Sequence, residues 1–292
     1  DLIIKIESMK KTQLTIGKYV ILSFLALGLT MTSCKKEEEV PVTPEPTPTA
    51  EPAFSAHAQV QVPIVLKETG ELCGPCGSWG WTAWTDVIDV LEGDAFLWSN
   101  YSDYFVSNSF FVNQEMDPTN SVMNAFQANF PYGGSKPLFY VNGVESTSST
   151  ASVTDANTSI ATDASSVNVS AAYRLKWNGD KITVDVQAKL YNDINGKYHM
   201  GVYIVEDKVL ATQSGQNGIV EHHLAMRGSV QGGIWGYEFI NGAATAGQTF
   251  DKSFETTIPS TYKKENITIG VIIWKKQGIK YFYENAATNQ KK

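Results

Sequence analysis

The spacing of apolar residues changes period part-way along the chain. Between about residues 62 and 165, short apolar runs alternate with stripes of helical spacing. Val62 to Glu68 reads as a brief buried strand, with Pro63 tolerated near its start. Trp84, Val87, Ile88 and Leu91 recur at helical intervals, so a helix is predicted from about Cys76 to a stop at Gly93. Ala95 to Ser99 is a second strand. Asp117-Pro118 supplies an N-cap and a first-turn proline for a helix carrying Val122, Met123, Phe126 and Phe130. Leu138 to Val141 forms a strand closed by the turn Asn142-Gly143, and Val153, Ala156, Ile160 and Ala164 predict a last helix.

From Val167 onward the period is two. Val167, Val169, Ala171, Tyr173, Leu175 and Trp177 share one face, Asn178-Gly179 turns the chain, and Ile182, Val184, Val186, Ala188 and Leu190 share the face of the next strand. Asn195-Gly196 precedes a third strand with Tyr198, Met200, Val202 and Ile204 on one side, and Phe250–Ile258, Ile267–Trp274 and Ile279–Tyr283 are further strands. Many short strands with turn signals predict a β-sandwich.

The first residues follow neither pattern. Met9-Lys10-Lys11 opens a basic stretch, and Tyr19 to Met31 is a nearly unbroken apolar run of 13 residues. A membrane-spanning helix takes about 20 residues, so this run suits the core of a signal peptide. It ends in Met31-Thr32-Ser33-Cys34, which resembles the lipobox of bacterial lipoproteins. The resemblance implies cleavage before Cys34 and a lipid on its sulfur. Lys35-Lys36-Glu37-Glu38-Glu39 is similar to tags that route some lipoproteins to the outer face of the outer membrane. Pro41, Pro44, Pro46, Pro48 and Pro52 then predict a stiff, extended, disordered tether. At ~3.1 Å per residue in polyproline II form, such a tether reaches ~70 Å.

Composition narrows the function. Of 292 residues, 42% are hydrophobic and 11% aromatic, which supports a packed core. The net charge is −7, and beyond residue 33 there remain 19 basic and 28 acidic residues. With no basic cluster, nucleic acid is not an expected partner.

The chain has three cysteines. With Cys34 lipidated, Cys73 and Cys76 form the one remaining pair. A loop that short gains little chain entropy from closure, so chemistry explains the pair better than stability does. The predicted helix places Cys73 at its N-terminus, where free backbone N–H groups and the dipole stabilise a thiolate. Cys73 is therefore the expected nucleophile and Cys76, in the first helical turn, the resolving thiol. Two cysteines are too few for structural zinc. His222 and His223 are adjacent in an extended stretch and point to opposite faces, so no metal site is expected.

Cys73-Gly74-Pro75-Cys76 between strand and helix, with Pro137 opening a later apolar strand 61 residues after Cys76, resembles the thioredoxin superfamily. The resemblance implies that the Lys136–Pro137 bond is cis, that Pro137 shapes a substrate groove facing the cysteines, and that Lys136 offers backbone groups to a substrate strand. The chain departs from the family pattern at three places. Leu72 stands where Trp usually precedes the first Cys, Lys67 stands at the position of a buried Asp that assists proton transfer, and Gly77 follows the second Cys. Glu68 is the expected substitute in proton transfer. Glu221-His222-His223-Leu224-Ala225-Met226-Arg227-Gly228 and Ile234-Trp235-Gly236 extend the likeness. A thioredoxin-like domain joined to a sandwich resembles the outer membrane protein 28-related lipoprotein family over roughly residues 58–285.

The expected organisation is a signal peptide over 1–33 with its start at Met9, a lipidated tether over 34–56, an α/β thioredoxin-like domain over 57–165 and an all-β sandwich over 166–292. The expected function is thiol–disulfide exchange on exported proteins by an outer-membrane lipoprotein, on the periplasmic face or the cell surface. Its cofactor is no more than the Cys73–Cys76 disulfide, and a separate redox partner supplies or removes electrons. The alternative is a binding or adhesion lipoprotein that uses the same fold as a scaffold around a structural disulfide.

Overall fold

The structure, a computed structural model of the chain, describes residues 52–101, 110–113, 115–116, 121–130, 134–231 and 233–290. The expected signal peptide, Cys34, and Asp117-Pro118 lie outside the described residues.

The elements run β1 (Ile64–Thr69), α1 (Gly74–Gly77), α2 (Trp79–Leu91), β2 (Phe96–Tyr101), α3 (Phe110–Asn113), α4 (Val122–Asn129), β3 (Leu138–Val141), β4 (Val144–Ser146), α5 (Ser149–Ile160), β5 (Val169–Asn178), β6 (Lys181–Leu190), β7 (Ile194–Glu206), β8 (Val209–Thr212), β9 (Ile219–His222), β10 (Ala225–Ser229), β11 (Tyr237–Ala244), β12 (Thr249–Thr257), β13 (Ile267–Gln277) and β14 (Lys280–Thr288). The chain is mixed α/β with several sheets. Ser121 caps α4, its hydroxyl accepting from the amide of Asn124.

β1 pairs in parallel with β2 and antiparallel with β3, and β4 follows β3 at the sheet edge. A parallel pair needs a crossover, which α1 and α2 supply. α2 turns its buried residues Gly80, Ala83, Trp84, Val87 and Leu91 inward, at the spacing expected for one helical face.

The boundary expected near residue 165 requires correction, because it does not separate two sheets. A nine-stranded sheet runs β14-β13-β7-β10-β2-β1-β3-β4, with β11 also on β7, so strands from both segments share it. The seam is short. Ala225 of β10 registers with Ser99 of β2, and the Ser99 amide donates to the carbonyl of Leu224. A sandwich does form, but only one of its layers is separate: the three-stranded sheet β12-β6-β5 covers the far end of the large sheet.

This arrangement explains why the middle of β7, Met200 to Val205, and of β13, Ile269 to Trp274, carries no polar side chain apart from the Tyr203 hydroxyl and the Trp274 indole N–H. On β7, Met200, Val202 and Ile204 enter the core beneath β5 and β6, while Tyr203 and Val205 enter the core that holds the helices. β13 alternates in the same way. Its Val271 and Ile273 join the first of these cores, and its Ile272 and Trp274 join the second. Strands buried on both faces read as continuous hydrophobic runs. β6, with one solvated face, shows the clean alternation seen in its sequence.

The end of the expected tether is also corrected. The Ser55 amide donates to the Tyr173 carbonyl, Tyr173 N–H donates back to the Ser55 hydroxyl, and the Arg174 guanidinium lies over the Phe54 ring. Residues 54 and 55 are therefore docked along β5.

Asn285 knits these parts together from a buried position. Its carboxamide accepts from the amide of Val62 at 2.9 Å and donates to the carbonyls of Val60 at 2.9 Å and Val169 at 2.7 Å. Asn285→Ala is expected to leave these backbone groups without partners at a cost of about 2–4 kcal/mol. Urea unfolding checks this: the midpoint should fall with little change in slope.

Candidate functional site

β1 ends at Thr69, and Gly70 to Leu72 turn the chain into α1. The Cys73 amide donates to the Gly70 carbonyl, closing that turn. Cys73 is the N-cap of α1, and Pro75 occupies a first-turn position where its missing N–H costs nothing. Cys73 and Cys76 are joined in a disulfide with their Cα atoms 5.2 Å apart. The Cys76 amide points at Cys73 Sγ from 3.2 Å. Both cysteines are buried, Cys73 at 4% exposure and Cys76 at 0%, so Cys73 is the outer of the two. The surface beside them is apolar, with Leu72 and Trp79 more than half exposed and Pro75 exposed between them.

The loop before β3 faces this turn. The Lys136–Pro137 peptide bond is cis. The Lys136 carbonyl lies 3.6 Å from Cys73 Sγ, an acceptor that a thiol can use and a disulfide cannot. Gly80 lets α2 approach Pro137 closely, since a Cβ there would stand 2.4 Å from the proline Cγ.

Glu68 does not stand with the cysteines. Its carboxylate accepts from Lys136 Nζ at 2.6 Å, from Gln127 Nε2 at 2.8 Å and from the Asn100 amide. Neighbours on a strand point to opposite faces, and the partners of Glu68 lie on β2, α4 and the proline loop. Burial raises its pKa, against the pull of Lys136, Asn100 and Gln127. Glu68 is thus a clamp on the loop that presents the Lys136 carbonyl. Proton transfer, the role expected for it from sequence, falls on the wrong face.

Lys67 occupies the other face. It is 2% exposed, and its ammonium sits 5.7 and 5.8 Å from the ring centres of Trp81 and Trp84 on α2. Burial lowers its pKa to about 7. His222, fully buried, bonds through Nδ1 to the Tyr101 hydroxyl at 2.7 Å and lies edge-on to Trp81. Burial first, then the charge of Lys67, lowers the His222 pKa to about 4. His223 pairs instead with Asp207 at 2.9 Å, which raises its pKa. The two histidines thus have separate partners on different elements. Among the described residues, no cluster of His, Cys, Asp or Glu is arranged to hold a metal.

One part of the site had no sequence signal. The hairpin β8–β9 forms a sheet of its own, and its tip reaches back to the cysteine turn. Gln213 Nε2 donates to the carbonyls of Gly70 and Cys73, each at 3.1 Å, and the Ser214 amide donates to the Glu71 carbonyl at 2.8 Å. Gln216 Nε2 donates to the Gly77 carbonyl. Gly77, unusual beside the family pattern, is explained here: a Cβ would stand 2.0 Å from the Ser214 carbonyl oxygen.

With the geometry in place, the chain can be set beside known proteins. Its fold is similar to that of HBP35 of Porphyromonas gingivalis. The TM-score is 0.65 at 12% identity, over 80% of this chain and 76% of that one. A domain of the outer membrane lipoprotein Omp28 from Porphyromonas gingivalis aligns with 43% of this chain and 89% of its own length, at 21% identity and a TM-score of 0.30. A protein from Agrobacterium tumefaciens aligns over 79% of this chain and 95% of its own, at 15% identity and a TM-score of 0.45. No family model matches the chain, and no curated protein matches it in sequence.

The position of Lys67 has a measurable consequence for stability. A lysine ionises near 10.4 in the unfolded chain, and near 7 in the fold. Between these values the unfolded state binds the extra proton, so stability rises with pH by up to about 1.4 kcal/mol per unit. Lys67→Met is expected to flatten this rise between pH 7 and 9 and to stabilise the protein at pH 7. Urea midpoints of both proteins across that range check it, and parallel slopes would contradict it.

Proposed function

We propose that the protein carries out thiol–disulfide exchange on exported proteins through Cys73 and Cys76, on a thioredoxin-like scaffold. The observation that carries this reading is the alignment of an acceptor and a donor on one sulfur. The Lys136 carbonyl and the Cys76 amide both address Cys73 Sγ. The carbonyl serves the thiol, and the amide serves the thiolate or the sulfur of a disulfide, so the environment suits Cys73 in each of its chemical states. The order β1, helix, β2, helix, β3, β4, helix, with Pro137 directly before β3, supports the thioredoxin-like reading.

In this reading the Cys73 thiolate attacks one sulfur of a partner disulfide, and the other partner sulfur leaves as a thiolate. Cys76 then attacks Cys73 Sγ, releasing the second partner thiolate and restoring the Cys73–Cys76 bond. The reverse sequence oxidises a partner dithiol. A further thiol-active partner sets the direction. Leu72, Pro75 and Trp79 offer an apolar surface to the polypeptide around the partner sulfur, and the Lys136 backbone, beside Cys73, meets that polypeptide in extended form. The signal segment, Cys34 and the tether support attachment to the outer membrane by a lipid. No helix among the described residues is long and apolar enough to cross a membrane.

The low exposure of both cysteines favours a second reading, in which the disulfide is structural and the protein is a surface binding lipoprotein. The reduction potential of the pair separates the two. Equilibration of the purified protein in glutathione and dithiothreitol buffers, with trapping of free thiols, is expected to give a potential between about −270 and −120 mV, the span of known exchange proteins. A value below about −300 mV, with no thiol trapped under mild reduction, would establish the structural reading.

A further inference from the structure

Cys73 sits where local structure is least able to hold it. α1 is four residues long, and Ser78 after it has φ −90° and ψ −102°, so α1 and α2 are separate helices. A single helical turn fixes several dihedrals for very few bonds and does not stand by itself. Yet the two contacts of Cys73 Sγ come from different parts of the chain, the Cys76 amide at 3.2 Å and the Lys136 carbonyl at 3.6 Å. The sulfur keeps both only while the backbone of Cys73 is fixed. The proline loop has its own anchor in the bond from Lys136 to Glu68. The cysteine turn needs an anchor as well.

Gln213 provides one. This residue is 4% exposed and lies at the hairpin tip, 140 residues further along the chain. Its carboxamide nitrogen stands 3.1 Å from the Gly70 carbonyl, 3.1 Å from the Cys73 carbonyl and 3.2 Å from the Ser214 carbonyl. Gly70 and Cys73 are the two ends of the turn that the Cys73 amide closes. The Cys73 carbonyl also takes the first bond of α1, from the Gly77 amide at 3.2 Å. Gln213 therefore ties down the peptide after Cys73 and the carbonyl that receives the amide before it. The other tip donors act elsewhere, Ser214 on the Glu71 carbonyl and Gln216 on the Gly77 carbonyl. The tip is shaped for this close approach: a Cβ on Gly215 would stand 2.6 Å from the Gly74 carbonyl oxygen.

We propose that Gln213 is a positioning residue for the nucleophile: through the Cys73 carbonyl it keeps Cys73 Sγ within reach of the Cys76 amide. This deepens the exchange reading above and rests on it. An N–H donor to sulfur favours the thiolate over the thiol. A turn released from Gln213 loses that donor part of the time, and the thiolate is then less favoured. The hairpin after β7 thus governs how readily Cys73 attacks a partner disulfide. The titratable groups around the turn are unaltered when Gln213 is replaced. Glu71 gives one carboxylate oxygen to the Phe110 amide, the Lys136 ammonium pairs with Glu68, and Lys67 and His222 pack against Trp81. On α2 no charged residue precedes Asp86.

The test is the pH profile of that attack. Reduced protein is mixed with the chromogenic disulfide dithiobis(nitrobenzoate) in a stopped-flow instrument, across the range in which thiols ionise. Cys73 Sγ bonds to one sulfur of the reagent and the first nitrothiophenolate leaves, so the first phase reports the Cys73 thiolate. In Gln213→Leu, which has no donor, the midpoint should rise by about one pH unit. A thiolate of higher pKa is scarcer but intrinsically more nucleophilic, with a Brønsted slope of ~0.4–0.5. The variant should therefore react about three- to fourfold more slowly well below the midpoint and about threefold faster well above it, so that the two profiles cross. A loss of packing alone would change the rate alike at every pH. Gln216→Leu, which frees the Gly77 carbonyl and leaves the Cys73 carbonyl bonded, should keep the wild-type midpoint. A Gln213→Leu midpoint equal to wild type, or an equal shift in Gln216→Leu, would overturn the proposal and leave the exchange reading standing. A wild type that releases no nitrothiophenolate would remove both. If Gln213→Leu does not fold, proton–nitrogen NMR of the reduced wild type decides. The Gln213 carboxamide resonance should titrate with the midpoint of the Cys73 thiol, and a resonance unmoved across that range would overturn the proposal.

Discussion

Because β7 is apolar on both faces, it has to be covered twice, and this requirement sets the position of nearly everything around the cysteines. One face takes the three-stranded sheet and the other takes the helices and a cluster of aromatic rings, in which Trp274 lies against Phe126, Phe130 and Trp235. A separate sandwich would have left one of these faces to water. Once β7 is fixed, the chain leaving it has one short path. Val209 and Leu224 bury in the core that holds the helices, His222 meets Tyr101, and the hairpin between them arrives at the turn that carries Cys73. The Cys73–Cys76 pair and the strands after residue 165 are thus parts of one structure.

Two consecutive residues of β1 show how differently a buried charge can be treated. Glu68 is supplied with an ammonium and two amides, and breaking such a pair by removing one partner costs about 3–5 kcal/mol, since the other charge stays buried. It is a structural tie, holding the loop before Pro137 to the central strand. Lys67 has no anion beside it among the described residues, and burial lowers its pKa to about 7. The fold could have carried an apolar residue there at lower cost. A group that weakens the native state without tying anything down is the kind of feature found at working sites.

Local chemistry was largely legible in the chain. Strand spacing placed β1, β2 and β3 to within a few residues, and the helical stripe from Trp84 to Leu91 is the buried face of α2. The alternation over Val169 to Leu190 is the hairpin β5–β6. What was not legible depended on partners distant in sequence. Met200, Val202 and Ile204 were visible as a face, but Tyr203 and Val205 were not visible as a second one, because a double-sided strand looks like a hydrophobic run. Hence the sheet shared across residue 165 went unseen. Strands β8 to β10 are only four or five residues long, too short to show a period, and β11 pairs with β7 through a register shift. The side to which Glu68 points followed from strand alternation only once its neighbour Lys67 was seen against Trp81 and Trp84.

The hairpin tip bears on whether so closed a disulfide can react. Its hold on the cysteine turn is made of side-chain amides and one backbone amide reaching carbonyls: Gln213 to Gly70 and Cys73, Gln216 to Gly77, Ser214 to Glu71. Bonds of this kind exchange with water at a net cost of only about 1 kcal/mol each, so polar contacts rather than apolar side chains make most of this hold. A lid of leucines would have been harder to open. The apolar residues near the pair, Leu72, Pro75 and Trp79, are left in solvent, where a partner polypeptide can cover them. A disulfide kept only for stability has no need of an exposed apolar border and an acceptor aimed at one sulfur. Their coincidence around Cys73 and Cys76 is what weighs for exchange over a static bond.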